Sequence, residues 1–358
     1  MTDLIQGLLA GGWPFVVGWV LPSGLFVSLF ALLVFPSISY LSAASSITHL
    51  GEGTKLGLIV FLALALGVLL NALSVPLYRI LEGYLGWPGF IKNRRITHYA
   101  KVQKTLQERM DDPNQTRLQR GFAAEKLALF PKDEGNIAPT RLGNAMRAIE
   151  TFGSHTFKLD SQVLWSELRA VLPDTLNSDI DSAKAGIDVF IALIYLSLGF
   201  SAACLAVFLE APQKIHMSHR SLLVAGGVSL LLVPIWYRQA VASTRSLRSA
   251  VHAMVMLGRG KLAKSLGLEV PATLEAERVM WSSMSRLSLM GYNDRTKQRW
   301  DAVRAQRPPQ APASGAGDGT KPMPPNQTPE EARGASSTEP GTAFENPSAV
   351  RPDAPGLV

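Results

Sequence analysis

Residues able to do chemistry are few in this 358-residue chain, and most stand in pairs rather than sets. Arg79 and Glu82 are three apart, the spacing at which side chains meet on a helix. Farther along come Arg141, Asn144 and Asp160. An enzyme at a membrane surface could be built from these five only if folding gathers them in one pocket. Each also has a plainer use. Tyr78 and Tyr84, flanking Arg79 and Glu82, suit interface anchoring. Thr140 and Asn144 are good helix-start residues.

Other constellations fall short of a site. His216 and His219 are too few donors for copper or zinc, and no carboxylate or thiol is near. The single cysteine, Cys204, excludes an intrachain disulfide and any multi-cysteine metal site, and its apolar setting marks a buried hydrophobe. Gly51–Lys55 has the glycines of a phosphate loop but not their spacing. H-E-x-x-H and G-x-S-x-G are both missing. No catalytic residue, metal ligand or cofactor is assigned on these grounds. Asp181, Lys184 and Asp188 recur every three or four residues and are expected to form exposed ion pairs, with Asp188 the deepest acid in the chain.

The clearest electrostatic feature is the basic run Lys92, Arg94, Arg95, Lys101 and Lys104. Near an anionic leaflet each such residue contributes about 1 kcal/mol, so lipid contact is the expected role. Nucleic acid is not expected, because only Tyr99 interleaves as a stacking ring.

The elements that must position these residues follow from hydropathy. Net charge is +7, and mean hydropathy is +0.14 even though the chain ends in a polar, Pro-rich stretch. The apolar residues are therefore concentrated elsewhere. A helix needs about 20 of them to cross a bilayer. Four stretches qualify, at about 13–36, 56–78, 189–208 and 221–237, with Pro22 as a kink or late start in the first. Their interiors lack acids, bases and histidine, unlike the ionisable depths of ion-coupled transporters and intramembrane proteases. Small residues recur at Ala63, Gly67 and Asn71, and at Ser197 and Ser201, a spacing that lets helices pack and Asn71 bond across a seam.

Lys and Arg counts set the orientation. About fifteen lie between residues 82 and 186 and a similar number follow the fourth stretch, whereas the two short connections hold three in all. The positive-inside rule then places both termini and the long connection in the cytoplasm of a cell with its plasma (inner) membrane as host. The expected fold class is all-α: a four-helix transmembrane protein with a helical cytoplasmic domain and a disordered C-terminal tail. The divisions are 1–81 with spans 1 and 2, 82–186 cytoplasmic, 187–240 with spans 3 and 4, 241–300 cytoplasmic helices, and a 301–358 tail too poor in apolar residues to fold.

Within the cytoplasmic part, Pro113 should open one helix with Leu118 and Phe122 on its inner face. Pro139-Thr140 should open another striped by Leu142, Ala145, Met146, Ile149 and Phe152. A third carries Leu164, Leu168, Val171 and Leu172 and stops at Pro173, and residues from Asp174 lead into span 3. The fourth span should run on to about Lys264 and end at Gly267, before a last helix from about Thr273 to Met290.

Several of these elements, in this order, resemble a group of uncharacterised bacterial multi-pass membrane proteins of actinobacterial type. They are Tyr78-Arg79 with Leu81-Glu82-Gly83-Tyr84, then Pro139-Thr140-Arg141-Leu142-Gly143-Asn144, Asp160, Leu164-Trp165, Leu172-Pro173 and Gly267-Leu268. This chain departs at His155-Thr156-Phe157-Lys158, where those relatives are rich in Tyr and Arg. The resemblance implies architecture and no activity.

The sequence leaves a non-enzymatic scaffold or accessory protein, with a protein partner on its cytoplasmic helices, as the leading expectation. The alternative is a small channel or transporter that works as a homo-oligomer. The remaining partner is the bilayer with its anionic inner leaflet.

Overall fold

The computed structural model describes residues 12–38, 47, 49–210, 219–290, 298 and 301. The chain divides into two units, 1–308 and 309–358. The expected tail lies almost wholly outside the described residues, and His216 does too. Every regular element among the described residues is a helix.

Four helices are long and apolar enough to cross a membrane. Helix α1 spans Trp13–Leu33. Pro22 lies inside it and does not delay its start. Proline has no N–H and its ring crowds the carbonyl four residues back. The helix absorbs this by widening into a π-turn over Val16–Val20, where Leu21 N–H bonds to Val16 O. Helix α2 covers Glu52–Ala72 and begins before the expected residue 56. It breaks at Leu73, because Pro76 cannot donate to Ala72, and a separate helix α3 follows over Ser74–Glu82. The last residues expected in span 2 therefore belong to α3.

The polar segment that follows forms α4 over Gly89–Asp111, α5 over Arg117–Leu127, α6 over Arg141–Glu150, α7 over Phe152–Phe157 and α8 over Trp165–Ala170. Pro113 does not open α5. Asp112 instead accepts from Asn114 N–H in a turn, and Thr116 with Gln119 forms a reciprocal capping box that starts the helix. Leu118 and Phe122 point outward, 67% and 53% exposed, while Ala123 is buried. Thr140 caps α6 as expected, and Leu142, Ala145 and Ile149 are buried.

Helices α9, Asp174–Glu210, and α10, His219–Ser265, run from the apolar layer far into the polar part. They pack as an antiparallel pair. Cys204 meets Gly226, the Ser229 hydroxyl donates to Ser197 O at 3.0 Å, and Phe190 lies beside Trp236. Helix α1 runs parallel to α9, with Gly18 against Ala185 and Asp188 and Phe26 edge-on to Phe200. Helix α2 runs antiparallel to α1, with Gly67 against Val20 and Gly24 near Ala63. Asn71 is exposed, so the seam it was expected to bridge consists of Ala63, Gly67 and Leu70 instead.

The start of α1, the end of α2, the start of α9 and the lower half of α10 thus share one end of the bundle. The polar helices gather there around the extension of α10. Leu142, Leu164, Leu168, Met254, Val255 and Trp281 are all buried in one core. Each such side chain contributes roughly 1.5–3 kcal/mol by burial. Helix α10 ends at a left-handed Gly267, with Leu268 N–H bonded to Ala263 O at 2.8 Å, as the sequence anticipates. The closing helix, α11 at Leu274–Met290, buries Met280 and Trp281.

Candidate functional site

Two of the polar residues singled out in the sequence, Glu82 and Asn144, lie at the joint between α3 and α6. Helix α3 ends on Gly83, whose φ of 89° is open to glycine and strained for other residues. That turn lays Gly83 directly on Pro139 and Thr140. Opposite it, a Cβ at Gly143 would stand 2.5 Å from Glu82 O, so the two backbones touch. The two sequence elements 78–84 and 139–144 are therefore complementary halves of one packing contact. Tyr237 of α10 closes it by accepting Leu142 N–H at 3.3 Å.

Of the five candidate residues, only Glu82 acquires new charged neighbours. The expected Arg79–Glu82 ion pair does not form among the described residues, and exposed Arg79 acts on Glu82 only at a distance. Glu82 sits instead with Tyr84, Arg147 and Glu150. Arg147 Nε donates to the Tyr84 hydroxyl at 2.6 Å, and its Nη1 donates to Glu150 at 3.2 Å. Burial, reinforced by Glu150 and opposed by Arg147 and Arg79, pushes the Glu82 carboxyl up to about 7. Burial raises Glu150 as well, against the pull of Arg147. One guanidinium serving two half-buried carboxyls leaves the pair short of positive charge.

The other three are taken up by local structure. Asn144 is buried and holds the 138–140 segment in place. Its Oδ1 accepts Ala138 N–H at 2.8 Å, and its Nδ2 donates to Ala138 O and Thr140 O at 2.9 and 2.8 Å. Asp160 caps the turn after it by accepting from Gln162 and Val163 N–H, and Ser285 of α11 bonds its backbone. Arg141 is exposed. None of the five lines any of the three main cavities. They do not form one pocket.

Sequence reasoning missed Tyr84–Arg147 and a second cluster deeper in the bundle. The Tyr78 hydroxyl donates to Asp188 Oδ1 at 2.6 Å, and Trp19 also bonds this carboxylate. Asp188 is 6% exposed and Trp19 1%. The expected ion-pair ladder of Asp181, Lys184 and Asp188 does not form among the described residues. Asp181 takes a bidentate contact from Arg169, at 2.9 and 2.7 Å, and Asp188 faces inward to tie α1, α3 and α9 together. A buried acid opposite a tyrosine is visible in sequence only as two unremarkable residues 110 positions apart.

All five basic residues of the juxtamembrane run lie on α4. Successive residues turn about 100° around a helix. Arg94, Lys101 and Lys104 therefore share a narrow arc. Lys92 and Arg95 turn away from it and sit over the rings of Tyr84 and Tyr99, 5.8 and 5.9 Å from their centroids. Among the described residues no three His, Cys, Asp or Glu side chains gather in the manner of a metal site.

Between α1, α9 and α10 lies an apolar cavity of about 310 Å³, lined by Pro22, Phe26, Leu29, Leu196, Phe200 and Trp236 among others. Its polar lining is Ser197 and Ser229, whose own bond occupies the Ser229 hydroxyl.

Fold and site together define a class: an all-α protein with four helices fit to cross a membrane, tied to a polar helical module through a glycine-mediated joint. No known protein family, curated protein or solved structure matches the chain.

Proposed function

We propose that the chain is a multi-pass plasma-membrane protein with both termini in the cytoplasm, acting as a non-enzymatic scaffold or accessory protein. Its polar helical module is the cytoplasmic part and presents α5 to a protein partner. One observation carries this reading. Leu118 and Phe122 stand exposed one turn apart on a well-capped helix, whereas α6 of the same module buries Leu142, Ala145 and Ile149 of its apolar stripe. Isolated exposed apolar residues are ordinary, but two on adjacent turns of one rigid helix form the kind of anchor pair that helical recognition uses. Asn144 and Asp160 support it indirectly, since local backbone contacts occupy their side chains.

The test uses the full chain in lipid nanodiscs. Proximity cross-linking from α5 should yield one stoichiometric cytosolic protein, and Leu118→Asp with Phe122→Asp should abolish it without lowering thermal stability. Recovery of the same proteins by wild type and double variant refutes the reading.

The alternative, an oligomeric small channel or transporter, draws on Asn71, a polar amide left exposed at the end of α2. An exposed amide at that position can bond a second copy. Ion or solute flux in proteoliposomes that disappears with Asn71→Leu would favour it over the scaffold.

A further inference from the structure

A second cavity lies wholly within the polar module, and its lining has an unusual charge balance. It measures about 440 Å³, within the range of small-molecule sites. Helices α4 to α7, the 128–132 segment and α10 enclose it. Lys132, Arg248, His155 and His252 all line it, and no acidic residue does. Lys132 and Arg248 both lie within coulombic reach of His252, and Lys132 acts on His155 as well. Neither Lys132 nor Arg248 has an ion pair among the described residues. Glu125 bonds Arg245 at 2.8 Å, and Asp133 acts on His155 from outside the lining.

Like charges collected around a half-enclosed space repel one another, and an anion between them relieves that repulsion. The rest of the lining indicates what such an anion carries. Phe152 and His252 are stacked on each other, 3.6 Å between centroids, and both line the cavity, forming an aromatic wall. Met110, Leu127 and Phe130 supply apolar surface. The Thr156 hydroxyl lines the cavity, is shielded from solvent and has no hydrogen-bond partner there. Shielded hydroxyls rarely go unbonded, so this one is a donor in waiting.

We propose that this cavity binds a small phosphomonoester with a flat apolar body, its phosphate held by Lys132 and Arg248 and its body against Phe152 and His252. Thr156 donates to the same phosphate. The site is separate from the exposed Leu118 and Phe122, which lie on the other side of α5 from its lining residues Ala124 and Leu127. It stands whether or not α5 recruits a protein.

The full chain in phosphatidylcholine nanodiscs, titrated calorimetrically with phenyl phosphate, tests this. One molecule should bind per chain, about 10-fold tighter than inorganic phosphate because the ring stacks on the wall. Lys132→Ala and Arg248→Ala should each weaken it by about 10-fold or more, the effect of losing one charge-assisted bond. Lys132 is exposed, so its variant folds even if Arg248→Ala does not. Discs doped with phosphatidic acid separate two sources of the same chemistry. Loss of phenyl phosphate binding there assigns the site to a lipid headgroup, and undiminished binding assigns it to a soluble ligand. No binding above the empty-disc blank, or binding that both variants leave unchanged, overturns the proposal.

Discussion

Replacing Glu82 with glutamine should make the protein more stable at pH 8 and have little effect at pH 5. In the folded chain burial, with Glu150 nearby, holds the Glu82 carboxyl up from 4.5 to about 7. The folded state therefore grips this proton more tightly than the unfolded state does. The stabilisation this brings is complete below pH 4.5 and is lost as pH rises through about 7. The interval corresponds to roughly 3 kcal/mol. Glu82 is only partly buried, and water screening reduces that to about 1–2 kcal/mol. Glutamine keeps the shape and carries no charge, so the variant avoids the penalty that wild type meets at high pH. Thermal unfolding followed by tryptophan fluorescence in detergent micelles should show wild type and Glu82→Gln within a degree or so at pH 5. At pH 8 the variant should melt about 2–6 °C higher. A gap of equal size at both pH values, or a variant that melts lower at pH 8, refutes the account of the joint given above.

Asn144→Ala should cost about 2–4 kcal/mol, because it leaves the buried Ala138 N–H and C=O without partners, and chemical denaturation in micelles measures it. Glu277, 5% exposed, holds Arg259 and also accepts the Trp281 indole N–H at 3.1 Å. Glu277→Ala should therefore cost about 3 kcal/mol and free α11, seen as faster amide exchange over residues 274–290. Changing Arg94, Lys101 and Lys104 to Gln should remove most of the stabilisation that anionic lipid gives the protein in nanodiscs, at about 1 kcal/mol per residue. The same change at Lys92 and Arg95 should remove little of it, since those two sit over tyrosine rings.

The architecture was legible wherever one local rule governed an element. Hydropathy over a bilayer's length marks the four long helices, and Thr140, Pro173 and Gly267 mark boundaries because capping and proline chemistry act within a few residues. One boundary, the start of α5, falls where local rules compete. Asp112-Pro113 and Thr116-x-x-Gln119 both spell a helix start, and the box won because it satisfies two backbone donors at once. The outward face of α5 is hidden for a related reason: Leu118 and Phe122 have helical spacing, but spacing does not say which side the rest of the module occupies. The site was the least legible. Glu82 and Asn144 stand out in the sequence, yet their partners Arg147, Glu150 and Ala138 come from a joint that exists only once α3 docks on α6. Asp188 stands out as the deepest acid, while its tyrosine lies on another helix.

The two longest helices have a mechanical meaning. Helix α10 continues without interruption from the apolar layer to Ser265, about 40 Å past Arg238 at 1.5 Å per residue. It is a rigid rod embedded at one end in the bundle and at the other in the module's core, where Met254 and Val255 are fully enclosed. A rotation of about 5° near Pro234 would carry the far end sideways by roughly 3–4 Å over that lever arm. Thickening or thinning of the surrounding lipid that tilts α10 would thus arrive at α11 and at the walls of the cationic cavity as a displacement comparable to an atom's diameter.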